Sequence, residues 1–200
     1  AGITPDFIHG SPGTLGHSVG PSTPWRRLEG VGGLASGAAG DDDDPMSWLD
    51  RTAANRDDLL ALHPGLASTH HRVIDEIWSS SVDPRILELC RVRTATLVGN
   101  DRVLDQAMTP AAAAAGLAPE LVTALPRWPN DPRFDRSTVA CLTLTEQFVI
   151  DVHGVTDELV DEVRGHIGSD GVVTLTTALA IWEMVNRFDN ALLSSGPQED

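Results

Sequence analysis

The stretch Asp83 to Asp105, DPRILELCRVRTATLVGNDRVLD, decides how this chain is read. Asp83 has the side chain of a helix N-cap, and Pro84 after it has a φ already set for a first helical turn. From there Ile86, Leu89, Cys90, Arg93 and Leu97 share one helix face, and Glu88, Arg91, Val92 and Ala95 share the next. Glu88 lies three positions before Arg91, a spacing that permits an ion pair along the helix. The same carboxylate is also placed to face an internal pocket, and the sequence leaves both readings open. Gly99-Asn100-Asp101 breaks the helix, and a second one is expected from Asp101 to Met108.

On the N-terminal side, Leu66 to Ser79 has helical spacing in Leu66, His70, Val73, Ile74, Ile77 and Trp78. His70 falls on its apolar face with His71 beside it. A histidine there serves as a satisfied core residue or as a pocket group. Further upstream, Ser47 and Asp50 form a weak capping box for a short helix reaching Leu62. Residues 1 to 45 differ in kind: they hold ten of the eighteen glycines and five of the thirteen prolines, so too little apolar surface can be buried to offset ordering. They are expected to form a disordered tail, or a vector-derived leader with Met46 as the native start.

On the C-terminal side, Thr109-Pro110 opens an alanine-rich helix that stops at Gly116, and Pro119 opens a short one within Ala118 to Leu125. Pro126 to Asp135 is expected as a loop pinned by Trp128 and Phe134. A long helix follows from Asp135 to Val152, with Glu146 among apolar neighbours and His153-Gly154 at its end, where the histidine gains from the helix dipole. Thr156 opens a helix ending near Gly168, and a last helix carries Leu175, Leu179, Trp182, Val185, Asn186, Phe188 and Leu192. No stretch alternates with period two. The expected fold is all-α, one domain over 46–194 with a frayed end at 195–200.

Composition narrows the function. The formal charge is −15, which repels nucleic acid and anionic membrane surfaces. All fourteen basic residues are arginine, which removes Schiff-base chemistry from a lysine. Cys90 and Cys141 make no CxxC and no zinc-like spacing, and both sit among apolar residues as reduced core thiols. No cofactor and no metal is expected. No apolar run approaches a membrane span, and a cytoplasmic location is expected.

The residues Glu88-Leu89-Cys90-Arg91-Val92-Arg93, followed by Ala95, Leu97 and Gly99, resemble the E-L-x-R-L-R-x-A-x-L-x-G-C-x-Y-C-x-x-x-H helix of the carboxymuconolactone decarboxylase / alkylhydroperoxidase D (AhpD-like) superfamily. The PxW–PxF loop at Arg127 to Phe134, ACLTLTEQFV, GVTDELVDEVRGHIG and ALAIWEMVNRFDNAL extend the resemblance from Leu49 to Leu193. It implies an AhpD-like helical bundle that assembles as a homo-oligomer, a trimer or hexamer. In the peroxidase branch the glutamate relays protons to the cysteine pair, and a histidine follows. Glu88 matches that glutamate. Asn100 and Val103 stand at the cysteine positions and Ala107 at the histidine position, so CxxC peroxidase chemistry is not expected.

The resemblance therefore implies a cysteine-independent enzyme performing acid/base chemistry on a small organic substrate: isomerisation, decarboxylation, elimination or lactone chemistry. Glu88, His70 and His71 are its candidate catalytic groups. Asn100, Arg91, Glu146, Trp78 and Trp182 are its candidate substrate-binding groups. Two alternatives are a non-catalytic binding or scaffolding oligomer of the same fold, and residual alkylhydroperoxidase-type activity through Cys90 or Cys141.

Overall fold

The computed structural model describes residues 55–193. The expected tail, the Ser47 cap, the domain start at 46 and the end at 195–200 lie outside the described residues. Eight α-helices run in order among those described: α1 (Arg56–Ala61), α2 (Pro64–Trp78), α3 (Pro84–Leu97), α4 (Asp101–Leu104), α5 (Pro110–Ala114), α6 (Pro119–Ala124), α7 (Arg136–Ile150) and α8 (Asp157–Leu192). Short 3₁₀ turns, Leu125–Asn130 and Val152–Gly154, flank α7. No strand occurs among the described residues, as the missing period-two pattern predicts.

Helix α3 is the centre. Asp83 accepts from the Arg85 amide at 2.8 Å, and Pro84 follows at the first turn. Ile86, Leu87, Leu89, Cys90, Val92 and Ala95 are all buried, because α7 and α8 pack along it and α5 covers its flank. The helix ends in a Schellman motif: the Asn100 amide donates to the Ala95 carbonyl and Gly99 to that of Thr96. Gly99 holds φ at 70°, the left-handed conformation that the motif requires and that other residues adopt at a cost.

Helices α7 and α8 begin where their caps predict. Asp135 accepts from the Thr138 amide, and Thr156 from that of Leu159. The core they share with α3 includes Leu142, Leu144, Leu175 and Leu179, all fully buried. No helix of the described residues is long and apolar enough to cross a membrane.

Several boundaries differ from expectation. The first described helix is capped by Asn55, which exchanges hydrogen bonds with Asp58 in a capping box. The expected helix Asp101 to Met108 stops at Leu104. Thr109 takes the N-cap position of α5 as expected, extended ahead of Pro110, but makes no side-chain cap bond, because its hydroxyl and amide donate to Glu88. Pro126 to Asp135 is in part a 3₁₀ turn, with Trp128 and Phe134 buried as expected. Helix α7 ends at Ile150, since Asp151 turns extended and caps the next turn at the His153 amide. His153 is thus exposed and off the end of α7. The division expected at Gly168 is present: α8 is two helices joined at a kink, where Gly168 takes the non-helical φ 75° and ψ 170°.

Candidate active site

A cavity of about 290 Å³ opens between α2, α3, α8 and the segment that follows α4. Helix α2 contributes His70, His71, Ile74 and Trp78 from consecutive turns, which is the face the spacing in the sequence picks out. Arg91 comes from α3, and Trp182, Val185 and Asn186 from α8. The two indoles lie 6.2 Å apart between ring centroids, tilted by 43°. The His70 and His71 rings are 5.8 Å apart.

The positions where the resembled motif carries its redox residues converge on this cavity. Val103 and Ala107 line it. Asn100 sits just behind: its amide nitrogen donates to Asn186 Oδ1 at 2.8 Å and to Asp189 Oδ2 at 3.2 Å. Asn186 in turn donates to the Trp182 carbonyl at 2.8 Å. Turning the Asn100 amide round would set oxygen against two oxygens, so its orientation is fixed. Its Oδ1 is buried without a hydrogen-bond partner among the described residues.

Glu88 is 1% exposed. Arg91 holds it with Nε to Oε2 at 2.9 Å and Nη2 to Oε1 at 2.8 Å, and Thr109 adds its hydroxyl at 3.1 Å and its amide at 3.3 Å. The carboxylate accepts four hydrogen bonds from the chain itself. It is therefore an ion pair, as the i,i+3 spacing allows, and a buried one. Glu88 does not line the cavity of His70. It borders a second, more apolar cavity of about 260 Å³ that shares Arg91, Val103 and Gln106 with the first.

Glu146 lies apart from both cavities. It accepts from Arg93 Nε at 2.7 Å and from Trp128 Nε1 at 2.6 Å, tying α7 to α3 and to the 3₁₀ turn. Cys90 and Cys141 are free and fully buried. Burial pushes the Cys90 thiol far above its usual range and that of Cys141 up to about 12. Among the described residues no three His, Cys, Asp or Glu side chains are grouped to hold a metal ion.

His70 is half-buried, and its pKa is lowered from 6.5, first by that burial and then by the nearby Arg56 charge and by His71. Its imidazole is thus unprotonated near neutral pH. No hydrogen bond joins its ring nitrogens to any other described residue. His71 is exposed and sits 3.2 Å from Asp57 at the rim.

Five of the eight residues read from the sequence, His70, His71, Trp78, Arg91 and Trp182, therefore line one cavity. Asn100 supports it from behind, Glu88 acts on it through Arg91, and Glu146 belongs elsewhere. The sequence reading missed Arg56, Gln106 and Thr109 at the cavity, and the buried Asp189 that binds Arg56. Asp189 carried a signal: with Trp182, Val185 and Asn186 it forms a stripe at helical spacing in which two polar residues take core positions.

The arrangement of helices is the AhpD-like fold, the one expected from the motif of α3. The chain is similar to the structure of a protein of unknown function from Agrobacterium tumefaciens, a candidate antioxidant defence protein AhpD, over 70% of this chain and 97% of that one (TM-score 0.58, 18% identity). It is also similar to the debrominase Bmp8, over 71% of this chain and 76% of that one (TM-score 0.59, 13% identity). A cysteine-to-alanine variant of Bmp8 in complex with 2,3,4-tribromopyrrole matches equally well. At these identities the likeness is one of fold. No family model and no curated protein sequence matches the chain.

Proposed function

We propose that this chain is a cysteine-independent enzyme of the carboxymuconolactone decarboxylase / AhpD-like superfamily that moves a proton on a small organic substrate. The observation that carries the reading is the single cavity that gathers His70, Arg91, Trp78 and Trp182 where the resembled motif has its redox centre. His70 is the general base. It is unprotonated near neutral pH and its ring is uncommitted to other described side chains, which are the two requirements for accepting a proton. Arg91, its charge paired with Glu88, stands at the cavity wall as a hydrogen-bond donor to the substrate through its remaining N–H groups, and Glu88 with Thr109 holds its guanidinium in place. His71 tunes His70 from the rim. Trp78 and Trp182 supply flat apolar walls, and Asn100 holds Asn186 at the cavity edge. The volume suits a small ligand. The debrominase neighbour, which binds a small ring compound, supports a small-molecule substrate over a macromolecular one.

Thiol chemistry has no support, because neither cysteine reaches the cavity and both thiols stay protonated. A non-catalytic binding protein of the same fold is the second reading, and the saturated carboxylate of Glu88 favours it. Assembly into a homo-oligomer and a cytoplasmic location remain part of the proposal. Light scattering and fractionation check them.

The deciding experiment follows solvent deuterium uptake and product formation by NMR for a panel of small ring compounds. The full chain is expected to turn over at least one of them, and His70→Ala to lower that rate on the order of 100-fold or more. An unchanged rate in the variant overturns the role of His70. Binding without any exchange or product establishes the non-catalytic reading.

A further inference from the structure

The charges around this cavity are already paired. Arg56 and Arg91 are the two arginines that line it. Arg56 donates through Nε to Asp189 Oδ1 at 2.9 Å and through Nη2 to Asp189 Oδ2, and Asp189 is buried. Arg91 makes the equivalent two-point contact with buried Glu88. The remaining formal charge is the Asp57 carboxylate at the rim, with exposed His71 against it. An entering anion therefore meets no unpaired cation. To gain one it must draw an arginine away from its carboxylate, leaving that carboxylate buried and alone, which is the costly way to break such a pair.

What the cavity does offer is flat and uncharged: two indole faces, the side chains of Ile74, Val103 and Val185, and two uncommitted polar groups, His70 and Gln106.

We infer that the cavity selects uncharged ring compounds bearing an N–H or O–H group and excludes their carboxylates. This deepens the proposed function and rests on its assignment of the cavity as the substrate site. It separates the protein from chemistry on small carboxylated substrates, whose charge this cavity leaves without an unpaired cation. The ring lies against Trp78 and Trp182, and its N–H or O–H group donates to His70.

The test measures dissociation constants of the full chain for benzamide and benzoate, matched in shape and differing in charge, by titration calorimetry near neutral pH. Benzamide is expected to bind ~10-fold or more tightly than benzoate. The overall negative charge of the chain also disfavours benzoate, so Asp189→Asn is measured in parallel. That change releases the charge of Arg56 while keeping an amide of the same shape. It is expected to narrow the preference by improving benzoate alone. Ala107→Trp, at an exposed position lining the cavity, is expected to remove benzamide binding, with its helical circular dichroism unchanged.

Benzoate binding as tightly as benzamide, in a manner lost in Ala107→Trp, overturns the charge selection but keeps the cavity as the ligand site. An unchanged preference in Asp189→Asn also overturns it. Binding that Ala107→Trp leaves intact, or none by either probe, overturns the cavity reading itself.

Discussion

Arg91 grips Glu88 at two points on one turn of α3, with 2.9 Å and 2.8 Å between heavy atoms, and Thr109 closes the remaining side. The pair links the sequence motif to the cavity. Glu88 does not line His70's cavity, yet it fixes the guanidinium that does, and it holds the start of α5 against α3. Removing one partner leaves the other charge buried. Arg91→Met is expected to lower stability by about 3–5 kcal/mol, read as a fall in the urea midpoint at constant slope. A change below about 1 kcal/mol would mean that the pair behaves as an exposed one.

The pH dependence of His70 has a defined sign. Its folded pKa lies below the unfolded value of 6.5, so the unfolded chain takes up the proton first as pH falls. The stability that His70 contributes is whole above pH 6.5 and declines through the folded pKa below it. The difference in urea midpoint between about pH 7.5 and about pH 5 is expected to shrink in His70→Asn relative to wild type. The acid limb of any activity profile should also fall below pH 6.5, and an acid limb above it contradicts the assignment.

Asn100 separates two kinds of cost. Asn100→Ala removes the donor to Asn186 and Asp189 and is expected to destabilise by about 1–3 kcal/mol. Asn100→Asp loses the same donor and adds a second carboxylate beside Asp189. It should destabilise more than the alanine at neutral pH, and its deficit should diminish on acidification. Thermal midpoints of the two variants across pH test the order.

Two glycines should respond with opposite signs to the same change. Gly99→Ala forces a side chain into φ 70°, although nothing crowds the new methyl, and is expected to cost about 1–2 kcal/mol. Gly165→Ala lies in helical backbone on an exposed and open face of α8, and is expected to stabilise by up to ~1 kcal/mol. Denaturation curves that move the same way for both would contradict the backbone reading.

The cysteines should be inert in the native state. With both thiols fully buried and shifted upward, a thiol-specific reagent is expected to label neither until the chain unfolds. Rapid labelling without denaturant would restore thiol chemistry as a candidate.

The sequence by itself determined where most helices start and what kind of fold they build. Asp83-Pro84, Asp135 and Thr156 act on the backbone within three residues of themselves, and Gly99 sets its own φ, so these signals are complete without the rest of the chain. The apolar face of α2 was legible for the same reason, and with it His70 and Trp78. Helix ends set by distant partners were not. Helix α4 stops at Leu104 and not at Met108, and Thr109, read as opening α5, gives its hydroxyl to Glu88, 21 residues earlier.

Only the tertiary structure decided which polar groups share the cavity. Glu146 and Glu88 look alike in sequence, each a carboxylate amid apolar residues. One is taken by Arg93, 53 positions away, and the other by its own helix neighbour. Arg56 and Asp189 meet across 133 residues, a contact with no periodicity to announce it. Local signals fix backbone conformation. Charge pairing in a buried site depends on which helices pack together, and that is set by the shape of the whole core.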